Sequence, residues 1–378
     1  MVERSELLVA MRKALRRAPV VMLAGPRQSG KTTLARQFQS TRKSVYFDLE
    51  DPAAAQALED PMTTLRDLRG LVIVDEAQRQ PKLFPVLRVL ADRPRTPARF
   101  LLLGSASPDL SRQAAETLAG RVELIKIRGF GTNEVGYEKA NRLWLRGGFP
   151  RSYLARSEAD SFSWRSAFIQ TFLERDLSML GFGMSPKAMG RFWTMLSHYH
   201  GQVWNASEIG GALGVSYHTA TAYLDALEHT YMVRRLLPWF ENVGKRVVKS
   251  PKIYIRDSGL LHALQRIRNL HELHHHPKLG ASWEGFVIEE VLAAFGHPDA
   301  YFYGIHAGSE LDLFFLHKGE RIGIEIKRED APRMSKSMHV ALSDLKLHML
   351  YVIYPGTQRY ALAPKVECVP FTDLNALG

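Results

Sequence analysis

Residues 25–33 read GPRQSGKTT, and their types and spacing suit one task, the holding of a chain of phosphates. Gly25, Gly30, Lys31 and Thr32 complete the pattern GxxxxGK[ST]; Pro26, Arg27, Gln28 and Ser29 fill the loop, and Thr33 follows it. In such a loop the backbone N–H groups converge on the phosphates. The lysine reaches the β- and γ-phosphates, and the hydroxyl after it ligates Mg²⁺. A helix that begins at Lys31 adds its N-terminal dipole and free N–H groups. ATP with Mg²⁺ is the expected ligand.

A nucleotide needs further groups to be hydrolysed. Asp75 and Glu76 end the apolar run LVIV (residues 71–74), where Asp75 is placed to hold the Mg²⁺ shell and Glu76 to polarise an attacking water. Ser105 ends a third apolar run, ARFLLLGS, and its hydroxyl is placed to sense the γ-phosphate.

A second constellation lies near the C-terminus, in ELDLFFLHKGERIGIEIKRED. The pattern predicts a strand through Asp312, a turn at Lys318–Gly319, and a strand ending Glu325-Ile326-Lys327. Alternate residues of a strand share a face, so Glu325 and Lys327 point the same way and Asp312 on the paired strand can meet them. Two carboxylates can hold Mg²⁺ or Mn²⁺, the metal generates hydroxide near a phosphodiester, and a lysine beside them stabilises charge. A hairpin with solvated charges is the plainer alternative.

The elements that must position these groups can also be read. VVML (residues 20–23) is a short buried strand, and Leu34 and Phe38 lie on one face of the helix after the loop. Between the two constellations, ASEIGGALGVSYHTATAYLDALEH predicts two helices about a turn at Gly214. Ile209, Leu213, Val215, Ala220, Leu224 and Leu227 form their inner face, as in a helix-turn-helix. Tyr217, His218 and Thr219 then lie at the exposed start of the second helix, the end that reads a DNA groove in this motif. YMVRRLLPW and RVVKSPKIYIRD suggest a wing. Residues 231–256 hold Arg234, Arg235, Lys245, Arg246, Lys249, Lys252 and Arg256 against Glu241 alone. Lys245, Arg246, Lys249 and Lys252 are the expected contacts to a phosphate backbone. Such domains also dock proteins. The histidines of HELHHHPKL lack a fourth ligand at fixed spacing and read as a solvated connection.

The whole chain is consistent with this. Its 378 residues call for several domains, and 46% hydrophobic with 24% charged residues is a globular composition. A net charge of +11 favours a polyanionic partner over none, and with the winged helix-turn-helix the expected partner is DNA. Cys368 stands alone, which excludes an intrachain disulfide and a cysteine-based zinc site. No apolar run reaches the ~18 residues of a membrane span. Charges interrupt the first residues where a secretory signal would be apolar. The expected compartment is the cytoplasm.

GPRQSGKTT, VDEAQ, GSAS, LAGR and LRGGFP, in that order, resemble the AAA+ ATPases, and one archaeal and bacterial group of them in particular. That resemblance implies a helical lid after the nucleotide core and an arginine, Arg121 or else Arg112, that reaches the γ-phosphate of a neighbouring subunit. It also implies a homo-oligomer, a hexamer for preference. Glu284 on a helix, Asp312 on a strand, then Glu325 and Lys327 resemble the PD-(D/E)XK nuclease fold, which implies a metal at Glu284, Asp312 and Glu325. That fold also occurs as a silent nucleic-acid-binding module. The expected architecture is α/β: a P-loop AAA+ parallel-sheet core over residues 1–132, a helical lid over 133–185, a winged helix-turn-helix over 186–256, and a restriction-endonuclease-like domain over 257–378.

Overall fold

The apolar run at residues 20–25 has no polar face, and all six residues are buried. A strand of that kind belongs in the middle of a parallel sheet covered on both sides. The computed structural model, which describes residues 2–39, 43–94, 98–105, 116–179, 183–240, 247–306 and 308–377, has that arrangement. Strands β1 (Val20–Gly25), β2 (Ser44–Asp48), β3 (Gly70–Asp75), β4 (Ala98–Ser105) and β5 (Val122–Lys126) form a five-stranded sheet in the order β2-β3-β4-β1-β5. Every neighbouring pair is parallel.

Alternation along β1 divides its side chains between two cores. Val20, Met22 and Ala24 pack with Leu83, Phe84 and Leu87 of a helix over Leu83–Ala91. Val21 and Leu23 pack with Met11 and Leu15 of α1 (Ser5–Arg17) and with Leu34 and Phe38 of α2 (Lys31–Gln39). Because the strands run parallel, their C-terminal ends share one edge: Gly25 stands opposite Ser105, and Asp48 opposite Asp75. The phosphate loop and the acidic pair therefore meet at one edge of the sheet.

The chain divides into two compact units, Met1–Phe130 with His229–Tyr231, and Gly131–Glu228 with Met232–Gly378. In the second, the middle of the sequence is helical. Its helices include α3 (Glu158–Thr171), α4 (Pro186–His198), α5 (Ala206–Leu213) and α6 (Tyr217–His229). The starts of α3, α4 and α5 are capped by the side chains of Ser157, Ser185 and Asn205, which accept otherwise unpaired backbone N–H groups. Between α5 and α6 the chain reverses at Gly214, whose φ of 69° favours glycine. Phe168, Phe172, Phe192, Trp193, Leu224 and Leu227 share the core of this layer.

The remaining strands are β6 (Gln202–Val203), β7 (Val233–Pro238), β8 (Lys252–Ile255), β9 (Ala300–Gly304), β10 (Glu310–His317), β11 (Glu320–Ile326), β12 (Met349–Tyr354), β13 (Tyr360–Ala363) and β14 (Val366–Pro370). They form one mixed sheet in the order β13-β14-β12-β11-β10-β9-β7-β8-β6. β10 and β11 are antiparallel and joined through Lys318 and Gly319. Both have positive φ, as the tightest hairpin turn requires. Helix α7 (Leu279–Ala294) carries Glu284.

This differs from four modules in a row. The strands expected as a wing, β7 and β8, are members of the C-terminal sheet, because β7 pairs in parallel with β9 through Leu237–Tyr301 and Pro238–Phe302. The expected boundary after residue 256 thus falls inside one continuous sheet. Part of the histidine-rich stretch is a short helix, Leu270–His274, rather than an irregular connection. Among the described residues, no helix is long and apolar enough to cross a membrane.

Candidate nucleotide site and the C-terminal carboxylate cluster

The phosphate loop is a short path between a buried strand and a helix, and its backbone is specialised accordingly. Gln28 and Gly30 have φ of 61° and 91°. Gly25 has no room for a side chain, since a Cβ there would lie 2.1 Å from the carbonyl oxygen of Ile127. Ser29 is fully buried, and its hydroxyl has no protein partner. Lys31 is buried, and its Nζ donates to the carbonyls of Gly25 at 3.0 Å and Pro26 at 2.8 Å. Burial lowers its pKa from the ordinary 10.5 to about 8, against the attraction of Glu76 and Asp75.

Asp75 organises the opposite wall. Its Oδ2 accepts from the hydroxyl of Thr32 at 2.7 Å and from that of Tyr46 at 2.6 Å, and its Oδ1 accepts from the backbone N–H of Glu76 at 2.9 Å. Burial and the bond to Asp75 raise the Tyr46 pKa, so that tyrosine is a donor only. Glu76 has φ 54° and ψ 42°, a left-handed conformation that is strained for a residue with a Cβ. The strain turns the chain sharply at the strand end and occurs where a catalytic side chain is expected. The carboxylate of Glu76 accepts from the side-chain amide of Gln78.

Arg4 braces the loop from behind. Buried at the start of the chain, it donates to the carbonyls of Ser29 at 3.1 Å, Arg128 at 3.0 Å and Gly129 at 3.1 Å, and lies 5.6 Å from the Phe130 ring centroid. Sequence reading missed Arg4, Tyr46 and Gln78. Gln78 could have been suspected from its place two residues after Glu76; nothing local marks the other two.

These groups fit a magnesium nucleotide. Thr32 and Asp75 meet at the mouth of the loop, Lys31 is held on carbonyls that a phosphate can replace, and the orphaned Ser29 hydroxyl is a ready donor. Thr33 is exposed on the first turn of α2, and Arg27 lies 3.9 Å from Glu50. Arg121 is elsewhere. It precedes β5, whose first residue pairs with the first residue of β1, so it stands at the sheet edge opposite the loop. There it binds Asp92 through two nitrogens at 2.5 and 2.8 Å. The side chain of Ser105, and Arg112, lie outside what is described.

The C-terminal constellation is brought together, but not as expected. Asp312 Oδ2 accepts from the Ile326 N–H at 2.7 Å, and Glu325 Oε1 accepts from Lys327 at 2.6 Å. Glu284 accepts from the Tyr254 hydroxyl and from Lys252 at 3.3 Å, and Lys252 also pairs with Glu310. Burial, then Glu325 and Glu284, push the Asp312 pKa well above the carboxylate range. Burial pulls Lys252 down, but Glu284, Asp312 and Glu310 outweigh it and hold the amine above its ordinary value. Among the described residues, no three His, Cys, Asp or Glu side chains are grouped so that they could hold a metal ion. The expected metal set is not assembled as it stands: protein partners hold Glu284 Oε1, Asp312 Oδ2 and Glu325 Oε1, and the acids are not grouped about a common centre.

The basic stripe is also mostly spent inside the protein. Arg234 and Arg256 bind the buried Glu289 at 2.6 and 3.0 Å, and Arg235 binds Asp225 and Glu228. Lys252 is 3% exposed and so is not a surface contact to phosphate. Lys249 is exposed; Lys245 and Arg246 lie outside the described residues. Tyr217 is 55% exposed at the start of α6 with His218 against its edge, and Thr219 donates its N–H to the Ser216 hydroxyl.

Comparison with known proteins agrees with the loop geometry. Residues 17–136 match an AAA domain, residues 137–271 a domain of unknown function (DUF8612), and residues 279–374 another (DUF4143). The uncharacterized proteins Rv2008c of Mycobacterium tuberculosis and Mb2031c of Mycobacterium bovis are each 51% identical over all 378 residues, which span 86% of their length. The chain belongs to their AAA-domain family. The Walker-type ATPase PABY2304 of Pyrococcus abyssi shares the fold, with a TM-score of 0.51 at 15% identity, over 70% of this chain and 96% of that one. A P-loop AAA domain takes a nucleotide with its magnesium ion. In this family member, Thr32 and Asp75 are the residues that would hold the ion.

Proposed function

We propose that this protein hydrolyses ATP and couples the hydrolysis to an action on DNA. The observation that carries the first half is the edge at which Lys31, Thr32, Asp75 and Glu76 meet. When bound, MgATP supplies a γ-phosphate activated for attack by water. Lys31 leaves the loop carbonyls for the phosphates, and the loop N–H groups and the Ser29 hydroxyl orient them. Glu76, turned out of the strand by its left-handed backbone, holds the attacking water as its carboxylate exchanges Gln78 for that water. Arg121 faces away from its own loop, which suits contact with a neighbouring subunit's nucleotide once Asp92 releases it. An oligomer, with six subunits by resemblance to AAA+ proteins, gives that arginine its role.

The DNA half rests on α5 and α6. Their turn at Gly214, the exposed Tyr217 and His218 and the half-buried Thr219 support a helix-turn-helix whose second helix enters a groove. The nine-stranded sheet with α7 resembles the PD-(D/E)XK fold in the order of its acidic residues, and we read it as a module that holds nucleic acid. Internal neutralisation of Arg234, Arg235 and Arg256 favours a second reading, in which the same helices dock a protein and ATP switches that contact. ATP turnover measured with and without duplex, forked and four-way DNA separates the two. Stimulation by any of them supports action on DNA; turnover indifferent to all three overturns it in favour of docking.

A further inference from the structure

A second, buried lysine from outside the expected set lies among the carboxylates that the resemblance assigns to a metal. Lys252 lies on β8, opposite Val203 of β6 and Leu236 of β7, outside the α7, β10 and β11 set that carries the acids. Alternation puts Tyr254 on the same face. Both side chains reach Glu284, and Lys252 also takes Glu310, while its Nζ lies 5.6 Å from the Phe302 ring centroid. Asp312 and Glu325 complete the group, with Lys327 bound to Glu325 Oε1. Glu325 is 4% exposed, and its Oε2 has no partner.

We infer that Lys252 is the resident cation of this cluster, taking the place of a divalent ion. Four carboxylates, Glu284, Glu310, Asp312 and Glu325, would repel one another if left alone in a partly buried site. Two ammonium groups, Lys252 and Lys327, offset half of that charge. Mg²⁺ or Mn²⁺ needs several oxygens at about 2.1 Å in near-octahedral array. With Lys252 bound to Glu284 Oε1 and Glu310 Oε1, an ion would lose those two oxygens and meet a like charge beside it. Lys327 takes Glu325 Oε1 and Lys252 takes Glu284 and Glu310, so Glu325 Oε2 has no partner. The cluster therefore binds β8 to α7 and β10 as a metal-free ionic knot.

This does not depend on whether the protein acts on DNA. The test is Mn²⁺ binding to the full chain without nucleotide, followed by calorimetry and by the loss of the free-ion electron paramagnetic resonance signal. Wild type is expected to show no Mn²⁺ site that Asp312→Asn removes. Lys252→Met, which keeps the stem and deletes the charge, is expected to gain one Mn²⁺ site at least tenfold tighter than any in wild type, and Lys252→Met with Asp312→Asn to lose it. An Asp312-dependent Mn²⁺ site in wild type overturns the inference, as does a folded Lys252→Met protein that gains none. Should Lys252→Met not fold, the comparison of wild type with Asp312→Asn still decides between the two outcomes.

Discussion

Because the lysine of the phosphate loop is buried before nucleotide arrives, ATP binding should take up a proton at alkaline pH. Lys31 without ligand has a pKa lowered to about 8 by burial, from an ordinary 10.5. The phosphates of ATP bring several negative charges to within hydrogen-bond reach and restore the charged form, so only protonated Lys31 binds well. The sign follows from the direction of the shift. Between pH about 8 and 10.5 the unfolded chain holds this proton and the nucleotide-free fold does not, so the stability of the empty protein rises with pH across that window. ATP affinity moves the other way. With a pKa of about 8, roughly nine-tenths of the protein is protonated at pH 7 and roughly one-tenth at pH 9. Affinity for MgATP should fall by about tenfold, about 1.4 kcal/mol, over that interval. Calorimetry at pH 9 in two buffers of different ionisation enthalpy should report nearly one proton taken up per ATP. Lys31→Arg cannot titrate in this range, and whatever affinity it retains should be independent of pH. Equal wild-type affinity at pH 7 and pH 9, with no proton uptake, would refute the reasoning.

Lys31→Ala should abolish tight ATP binding, whereas Glu76→Gln should keep ATP bound and stall turnover; filter binding and phosphate release distinguish them, and loss of binding in both variants removes the role given to Glu76. Gly25→Ala puts a Cβ 2.1 Å from the Ile127 carbonyl oxygen, a backbone atom that cannot swing aside. It should cost about 1–3 kcal/mol in denaturant unfolding and raise the Kd for ATP, and an unchanged midpoint would show that the strand end yields freely. Lys249→Glu tests the basic residue that, among the described residues of the expected wing, is exposed. The log–log salt slope of DNA binding should drop by about one, and an unchanged slope would show that Lys249 does not touch the backbone.

How much of this was legible depends on whether the signal was local. The five-stranded sheet announces itself, because strands buried on both faces are continuous apolar runs and the loop motif dictates what lies between the first strand and its helix. The hairpin of β10 and β11 was legible for a similar reason: alternating residues and a Lys-Gly turn specify it within 17 residues, Glu310–Ile326. The nine-stranded sheet was not. Its halves join through two residue pairs on β7 and β9, from segments more than 60 residues apart, and nothing in Leu237 or Pro238 encodes that choice. Tyr46 escaped because its partner, Asp75, lies on a different strand. Lys252 was misassigned because a basic residue in a basic stretch reads as solvated. Its spacing from Tyr254, two polar-tipped residues on one face of an otherwise apolar strand, was the available clue.

The fate of the basic residues bears on what the net charge means. A charge of +11 invites the picture of a cationic face, yet four of the seven cations in residues 231–256 are turned inward. Arg234 and Arg256 converge on Glu289, whose carboxyl they hold well below its ordinary range in spite of burial. Removing either arginine would leave a buried carboxylate short of a partner, a strongly destabilising change. These ties and the Lys252 knot join β7 and β8 to α7 and to the strands beside it. A wing that flexes independently to grip a duplex is therefore not what these strands provide. If α6 enters a groove, β7, β8 and the C-terminal sheet must follow as one body, and Arg234, Arg235, Lys252 and Arg256 reach it only by giving up their internal partners. The salt dependence of DNA binding should then be shallow for so basic a chain, since each internally paired arginine is one counterion that binding cannot release.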